Sequence, residues 1–445
     1  MAAVLERSCD HPAIGAWLSL VERLVRDQEA GGSNPLAPTY SRGDKHAASR
    51  LERDMKPRIL IIALGFAVMA CTQVEKEPAM IPVQPTAQGS AAATQEASLS
   101  EPVAVFAAKG NIPHGAVRIP ALLTTKKGTV LAVAEGRDHA GDQAGNDLLL
   151  ARSTDAGRTW TRPVVVRDVG AAALNNPCLV EDVAVGLVHL FFQLYPAGAR
   201  EFSALQAGSE GAVRIQVICS DDEGLSWSEP RDLNAELKPV DALTAASGPG
   251  IGIQIQQGPA RGRLVVPFNS QSAGKHFVNW MALSDDGGKT WRRGNVVPCE
   301  HSELNEVQVA ETEAGQLLLN ARFWRGAQRG RLVARSEDGG VSWSAATVDP
   351  VLPEPVCQGS LLAADSASGR RIFFLNPEGE PRNKGRQRGV LRTSVDEGRT
   401  WPHARVLVPG PFAYSSMSVL PDGALGVLYE PAGAERILFL RLRNP

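Results

Sequence analysis

Short apolar runs alternate with turn-forming residues along most of the chain after about residue 100. Runs such as LLLARS, at residues 148–153, are short and end at clusters of Gly, Asp, Ser or Pro. Apolar runs of this length between turn residues are typical of β-strands. The 43 glycines and 30 prolines of the 445-residue chain fit the many tight turns that such strands need. The pattern predicts an all-β fold.

One four-residue motif follows such a run five times. It combines Ser, Asp, Gly and Trp, as in Ser153, Asp155, Gly157 and Trp160. The other four copies begin at Ser220, Ser284, Ser336 and Ser394 and end at Trp227, Trp291, Trp343 and Trp401. Successive copies lie roughly 52 to 67 residues apart, which is the size of a four-stranded propeller blade with its loops. The repeat therefore predicts a β-propeller.

The residue types of this motif suit a structural turn. Ser and Asp side chains accept hydrogen bonds from backbone N–H groups in tight turns, and Gly adopts backbone conformations that other residues resist. Trp packs its large face where the chain re-enters the sheet. We therefore expect none of the five repeated Asp residues to be catalytic.

The number of motifs and the number of blades need not agree. After Trp401 the chain still has three strand-like runs, SSMSVL, ALGVLYE and RILFLRLR, which leave a blade one strand short. The run VAVFA, which begins just after Pro102, supplies that strand if the first and last strands pair. Such pairing closes the ring and removes two exposed sheet edges. We expect six blades, the last of them without the motif.

The first hundred residues have a different character. Met55 starts a short basic segment, an apolar stretch covers residues 59–70, and Cys71 follows it. These are the parts of a secretory signal, and the apolar stretch is too short to span a bilayer. The ending VMAC resembles the lipobox of bacterial lipoproteins. The resemblance implies that residues 55–71 are a lipoprotein signal peptide and that Cys71 carries the lipid.

Three further boundaries follow from this interpretation. Because a signal peptide works from the N-terminus, we hypothesise that translation begins at Met55 and that residues 1–54 are not made. Residues 72–104 are rich in Ala, Gln, Thr, Pro and Ser, which predicts a flexible linker. Residues 105–445 form the predicted propeller. The expected location is a membrane-anchored exported lipoprotein, periplasmic or on the cell surface, and at the outer membrane in a Gram-negative cell.

The net charge and the cysteine content limit the kinds of partner and metal site that the sequence predicts. The net charge of −2 gives no indication of a nucleic-acid partner. Apart from Cys71 and one Cys in the doubtful N-terminal segment, four Cys remain, with no closely spaced pair that would indicate a metal site. We expect reduced cysteines, no cofactor and a monomer. An anionic substrate would need a local cluster of cations.

Four segments place charged residues among apolar ones. They are VRIPALLTT with Arg118, VAEGRDHAGDQAGND with Arg137 and Asp142, LNEVQVAETEAGQLLLNARF with Glu306 and Arg322, and RQRGVLRTS through LYE with Arg388, Tyr414 and Glu430. Taken singly, each fits an ordinary explanation, such as an edge-strand arginine or an aspartate that caps a turn.

Together these segments resemble the exo-sialidase family over residues 105–445 in order, spacing and neighbours, and the five repeated motifs resemble its Asp boxes. The resemblance implies a six-bladed sialidase-like β-propeller. It also implies three arginines that clamp a substrate carboxylate, namely Arg118, Arg322 and Arg388. Asp142 matches the acid/base, Glu306 and Tyr414 match the nucleophile pair, and Glu430 matches the carboxylate that orients the first arginine.

The chemistry of sialic acid explains why a sialidase needs these arginines, the tyrosine and the carboxylates. Sialic acid carries a carboxylate on its anomeric carbon, and planar guanidinium groups bind carboxylates through two parallel hydrogen bonds. A carboxylate nucleophile would be repelled by that group, whereas a neutral Tyr is not. The resemblance implies a retaining hydrolase of sialylated glycans that acts through a covalent tyrosyl intermediate.

Several assignments stay open at the level of sequence. Arg137 fits either a contact with the substrate carboxylate or a brace for its loop. Asp138 competes with Asp142, and Arg386 competes with Arg388, because a small shift in register would exchange each pair. In a further segment, Phe268 and Asn269 are candidate pocket walls.

Two other functions use much of the same sequence. A transferase or intramolecular sialidase would keep the same residues and add an aromatic acceptor site, for which the sequence gives no clear Trp. A non-catalytic propeller that binds sialylated or other glycans would keep the repeats, but it would have no use for the full set of arginines with Tyr414 and Glu306.

Overall fold

The computed structural model describes residues 98–199, 213–272, 276–300, 303–324, 330–366, 369–379, 386–431 and 433–445. The predicted signal peptide, the lipidation site Cys71 and nearly all of the predicted linker lie outside the described residues. No helix in the described ranges is long and apolar enough to cross a membrane. The described residues all belong to one unit, Ala92–Pro445.

The regular secondary structure of the described residues is almost entirely β-strand. The first thirteen are β1 (Val103–Ala107), β2 (Ala116–Thr124), β3 (Val130–Arg137), β4 (Asp147–Ser153), β5 (Val164–Arg167), β6 (Ala173–Asp182), β7 (Leu187–Tyr195), β8 (Arg214–Ser220), β9 (Arg231–Asp232), β10 (Ala242–Ser247), β11 (Gly250–Ile251), β12 (Ile253–Gln254) and β13 (Leu264–Ser272). The others are β14 (Phe277–Ser284), β15 (Arg292–Arg293), β16 (Leu304–Glu311), β17 (Leu317–Phe323), β18 (Arg331–Ser336), β19 (Thr347–Asp349), β20 (Ser360–Ser366), β21 (Gly369–Pro377), β22 (Gln387–Ser394), β23 (His403–Pro411), β24 (Ser415–Val419), β25 (Leu425–Tyr429) and β26 (Arg436–Leu442). One short α-helix, α1 (Asn234–Leu237), is present among the described residues.

The strands form six sheets, which are the blades of a six-bladed β-propeller. Blades 1 to 5 have the strand orders β2-β3-β4-β5, β6-β7-β8-β9, β10-β13-β14-β15, β16-β17-β18-β19 and β20-β21-β22-β23. Two short strands depart from this pattern, since β11 pairs in parallel with β6 of the preceding blade and β12 pairs with β13. The all-β, six-bladed fold predicted from the repeat is confirmed.

Blade 6 joins the two ends of the described chain. Its order is β1-β26-β25-β24, and β1 pairs with β26 in the antiparallel direction. The Ser100 N–H group also donates to the Arg441 carbonyl over 2.9 Å. The predicted pairing of VAVFA with the last strand is confirmed. It buries Val105 and Phe106 against the first and last blades.

The five repeated motifs share one hydrogen-bonded turn. In the copy that begins at Ser284, the hydroxyl donates to Asp286 Oδ1 over 2.8 Å and accepts the Gly288 N–H group over 2.8 Å. Asp286 also accepts the hydroxyl of Thr290, and these hydrogen bonds lower the pKa of Asp286 to about 2. Each motif follows the third strand of its blade, so it lies at the opposite end from the start of the first strand.

The hydrophobic core fills the spaces between neighbouring blades. Phe191 of blade 2 meets Phe268 of blade 3 edge to face at 6.0 Å, and Phe268 stacks on Trp280 at 4.6 Å. Trp291, from a repeated motif, lies 4.9 Å from Phe191. Aromatic pairs in these geometries add to the stability from apolar burial. The result is a rigid ring on which loop and strand-end residues can be held in place.

Candidate active site

A polar cavity of about 170 Å³ opens where the first strands of the blades begin. Most of the residues predicted from the sequence line it, namely Arg118, Arg137, Asp142, Glu306, Arg322 and Tyr414. They come from blades 1, 4 and 6, so positions almost 300 residues apart meet in one site. The propeller brings them together because the chain returns to the same face at the start of each blade.

Tyr414 and Glu306 form the centre of the cavity. The Tyr414 hydroxyl donates a short hydrogen bond to Glu306 Oε1. Burial raises the pKa of Tyr414 well above its usual value, the Glu306 carboxylate raises it further, and Arg322 and Arg386 oppose the rise. The phenol is therefore held neutral beside a group that can accept its proton, which is the arrangement of a base and the nucleophile it activates.

Arg322 contacts both of these residues. Its Nη1 lies 2.7 Å from Glu306 Oε2 and 3.2 Å from the Tyr414 hydroxyl oxygen. The guanidinium also stacks over the ring of Trp324, with its central carbon 4.3 Å from the ring centroid. The side chain is almost fully buried, so its position is fixed from two sides.

Arg118 is held from behind by Glu430. Its Nε and Nη2 lie 3.1 and 2.8 Å from the two carboxylate oxygens of Glu430, a bidentate pair. Glu430 Oε1 also accepts the backbone N–H group of Ile119 over 2.7 Å. A register shift in β2 follows Arg118, and Ile119 has a φ of 59°. This local distortion turns Arg118 into the cavity, where its central carbon lies 5.1 Å from the Tyr414 ring centroid.

The third arginine of the site is Arg386. It lines the cavity, its central carbon lies 5.2 Å from the Tyr414 ring centroid, and its Nη2 donates to the Val356 carbonyl over 3.3 Å. Arg388 does not line the cavity, and its exposed side chain pairs with Glu378 over 2.8 Å. The structure therefore brings Arg386 to the cavity in place of the predicted Arg388. The cause is a register shift at Arg388, where φ is 59°, which turns this side chain to the outer surface.

Three guanidinium groups thus surround one phenol. Arg118, Arg322 and Arg386 all lie at the cavity, and Arg118 and Arg322 already have carboxylate partners that fix their orientation. A planar anion beside Tyr414 would meet all three. The arrangement suits the recognition of a carboxylate held next to the phenol oxygen.

Asp142 lines the cavity from the loop after β3. Its carboxylate is 62% exposed, 3.0 Å from Arg137 Nη1 and 4.0 Å from Arg118 Nη1. Asp138 is exposed and does not line the cavity, which favours Asp142 of the two candidates. Arg137 is 1% exposed and binds Glu135 and the Gly141 carbonyl, so it braces the loop while its edge reaches the cavity.

Several lining residues were not found from the sequence. They are Ile119, Gln143, Asn175, Asn176, Tyr195, Ala246, Asn305 and Trp324. Trp324 lies two residues after Arg322 in the sequence. This short separation was the one local signal that Trp324 lines the cavity. Of the two suggested walls, Asn269 lines the cavity, but Phe268 is fully buried in the core against Trp280.

Comparison with known proteins now places the chain in a family. Residues 128–427 match the family described as BNR repeat-like domain. A sialidase of Micromonospora viridifaciens is 35% identical over 332 residues, which cover 71% of this chain and 50% of that protein. Sialidase-2 of Mus musculus is 30% identical over 357 residues, which cover 73% of this chain and 91% of that protein. The chain belongs to the sialidase family.

Solved structures share the fold of this chain. The Hadza microbial sialidase Hz136 superimposes with a TM-score of 0.68 and 26% identity, covering 76% of this chain and 67% of that one. An intramolecular trans-sialidase of Ruminococcus gnavus has a TM-score of 0.66, with 76% of this chain and 96% of that one covered. At 20% identity the latter comparison shows the fold alone. The chain spans 50 to 62% of the length of the first sialidase relatives it matches.

Proposed function

We propose that the chain is a retaining exo-sialidase, a glycoside hydrolase that releases terminal α-linked sialic acid from glycoconjugates. The observation that carries the proposal is the hydrogen bond between the Tyr414 hydroxyl and Glu306, at the meeting point of three arginines. Membership of the sialidase family supports the same reaction.

Recognition begins with the substrate carboxylate. Arg118, Arg322 and Arg386 bind it as a cluster, and the low exposure of the first two keeps these hydrogen bonds away from bulk water. A hydrogen bond to a charged group contributes about 1.5–3 kcal/mol, so three arginines account for much of the binding of this one group. Glu430 and Glu306 orient two of the three guanidinium groups before the substrate arrives.

The first displacement forms a bond between the Tyr414 oxygen and the anomeric carbon. Glu306 takes the phenol proton as the bond forms, and the glycosidic C–O bond breaks. Asp142 gives its proton to the departing oxygen of the aglycone. A neutral nucleophile avoids the repulsion that a carboxylate would meet beside the carboxylate of the substrate.

The second displacement releases sialic acid. Asp142, now ionised, removes a proton from a water molecule, whose oxygen attacks the anomeric carbon. The bond to Tyr414 breaks, and the phenol recovers its proton from Glu306. Two displacements at one carbon give net retention of configuration. The exposed position of Asp142 at the cavity mouth supports its contact with both aglycone and water.

The direct test is the hydrolysis of an aryl α-sialoside by the full chain, compared with Tyr414→Phe and Arg322→Ala. We expect the wild type to release the phenol and, by proton NMR, to form the α-anomer of sialic acid first. Tyr414→Phe should lower kcat by about 10³-fold or more, because the nucleophile is lost. An inactive wild type, full activity of both variants, or an initial β-anomer would each reject the mechanism.

Trp324 supports a second candidate, transfer in place of hydrolysis. The ring lines the cavity next to Arg322, where an aromatic surface can hold an acceptor or shield the intermediate from water. Product analysis separates the two reactions. Hydrolysis of sialyllactose gives lactose and free sialic acid as the one sialic-acid-containing product, whereas an anhydro-sugar or a sialylated added acceptor supports transfer.

The location of the protein is proposed from its sequence. The basic start at Met55, the apolar stretch and the VMAC ending support export and lipidation at Cys71. In this proposal a monomeric propeller is held at a membrane by its lipid and reaches glycans through the linker of residues 72–104. Incorporation of a labelled fatty acid into the wild type but not into Cys71→Ala tests it, and equal labelling of both would reject it.

A further inference from the structure

Three blades each have one residue with a left-handed backbone at the cavity end. In each blade the backbone N–H group of that residue donates to a buried glutamate. The donors are Ile119 to Glu430 at 2.7 Å, Asn176 to Glu135 at 2.6 Å and Val356 to Glu354 at 2.7 Å, with φ angles of 59°, 53° and 57°. Non-glycine residues resist this conformation, above all β-branched ones. Each glutamate also binds an arginine, and these pairs are Glu430 with Arg118, Glu135 with Arg137 and Glu354 with Arg331.

Glu135 is the one of these glutamates that lies beneath the loop of Asp142. Its side chain is fully buried at the end of β3. Its Oε2 accepts hydrogen bonds from Nε of Arg137 at 2.8 Å, from Nδ2 of Asn175 at 3.3 Å and from Nδ2 of Asn146 at 3.4 Å. One carboxylate therefore orients a guanidinium and two amide groups.

All three of these partners reach Asp142. Arg137 Nη1 donates to Asp142 Oδ1 over 3.0 Å. The Nδ2 groups of Asn146 and Asn175 donate to the Asp142 backbone carbonyl over 2.6 and 2.8 Å. Backbone and carboxylate of Asp142 are thus both held by groups whose orientation depends on Glu135.

We propose that Glu135 is a positioning residue for Asp142, which holds the acid/base at the cavity through Arg137, Asn146 and Asn175. The inference rests on the proposed function, in which Asp142 protonates the leaving oxygen. Replacing the carboxylate of Glu135 with an amide removes the buried one of the two carboxylates that pair with the Arg137 guanidinium, and only the exposed Asp142 remains. The guanidinium and both asparagines then reorient, and the Asp142 loop loses its fixed position.

The chemistry of the leaving group provides a readout that a general loss of structure would not reproduce. A sugar hydroxyl needs a proton as it departs, so its release depends on a well-placed acid. An activated phenol departs as its anion and depends little on that acid. Misplacement of Asp142 should therefore slow the cleavage of sialyllactose much more than the cleavage of a nitrophenyl sialoside.

The experiment compares kcat/KM on both substrates for the full-length wild type, Glu135→Gln and Asp142→Ala. We expect Glu135→Gln to lower the value for sialyllactose by about 30- to 100-fold and that for the nitrophenyl sialoside by about threefold or less. Asp142→Ala should show the same asymmetry. Glu181→Gln is the matched control, because Glu181 is also a buried carboxylate that binds backbone, at Lys126, but far from the cavity. Its values should stay within about twofold of wild type on both substrates.

Equal losses on both substrates, or no loss on either, would overturn the positioning role. If Glu135→Gln does not fold, Asn146→Ala removes one of the three links and should give a smaller loss with the same asymmetry. Hydrogen–deuterium exchange of residues 138–146 gives a measurement that is independent of activity. Faster exchange in Glu135→Gln but not in Glu181→Gln supports the proposal, and unchanged exchange overturns it. If the wild type cleaves neither substrate, the proposed function fails, and the exchange result alone decides the role of Glu135.

Discussion

The central guanidinium carbon of Arg386 lies 5.2 Å from the ring centroid of Tyr414, and the Arg386 side chain is anchored on the Val356 carbonyl. Arg388, two residues further along the chain, faces outward to Glu378. The two residues have the same side chain and lie two positions apart in the sequence. They therefore form a natural pair for testing which one serves the cavity.

Arg386→Ala should raise KM for an aryl sialoside by about 10- to 100-fold, because one charge-assisted contact with the substrate carboxylate is lost. Arg388→Ala should leave both kcat and KM within about twofold of wild type, since its side chain is exposed. Steady-state kinetics on the two variants provides the check. A large effect of Arg388→Ala together with a small effect of Arg386→Ala would contradict the geometry.

Glu306→Gln should lower kcat by about 10²- to 10⁴-fold with a smaller effect on KM, because an amide cannot take the Tyr414 proton. Glu311→Gln is a suitable control on the same strand. Glu311 is buried at the far end of β16, where it accepts the backbone N–H groups of Gln256 and Gln257. The Glu311→Gln variant should have a lower Tm than the wild type and an unchanged kcat. A normal kcat for Glu306→Gln would show that another group accepts the Tyr414 proton.

Ser284→Ala should destabilise the fold by about 0.5–1.5 kcal/mol, because the half-buried Gly288 N–H group loses the buried Ser284 hydroxyl as its acceptor. Activity per folded molecule should not change, since the repeated motifs lie at the opposite end of the blades from the cavity. Urea unfolding and kcat/KM on the same preparation test both parts. A variant with normal stability and reduced kcat/KM would assign these turns to function.

Acid should weaken the fold through His189. This side chain is 1% exposed, and burial lowers its pKa to about 4 against the pull of the neighbouring Asp182. Because the folded state favours neutral imidazole, the stability that His189 contributes is complete above about pH 6.5. It falls as pH drops from there to about 4, by about 1.4 kcal/mol per unit at most.

The comparison of wild type with His189→Gln isolates this effect from the titration of carboxylates. The free energy of unfolding in urea, measured between pH 7 and pH 4, should fall by about 3 kcal/mol more in the wild type than in the variant. Parallel curves for the two proteins would mean that His189 titrates normally in the folded state.

The architecture was predictable because its signal is local and repeated. Each motif keeps its hydrogen bonds within a few residues, as Asp286 does with Thr290, so residue types and spacing suffice to identify the turn. The final blade was predictable by elimination, because the three strand-like runs after Trp401 lacked the fourth strand of a blade. The one long-range contact that this prediction needed, the pairing of the first and last strands, follows from the closure of the ring.

The cavity was less predictable where the backbone departs from regular strand geometry. The alternation of side chains along a strand fails at Arg388, where a register shift reverses the face on which the side chain lies. Similar shifts follow Arg118 and Asn175. The lining amides Asn175, Asn176 and Asn305 also lack a distinctive spacing, because only their place at the start of a first strand brings them to the cavity.

The closing strand has a consequence for the synthesis of the protein. β1 precedes its partner β26 by roughly 330 residues. At about 5–20 residues per second, the ribosome needs about 15 to 65 s to make that interval. Val105 and Phe106, fully buried in the finished ring, have no partner strand during this time. The nascent chain can complete its first five blades in turn, but the blade that carries Tyr414 must wait for the last residues to emerge.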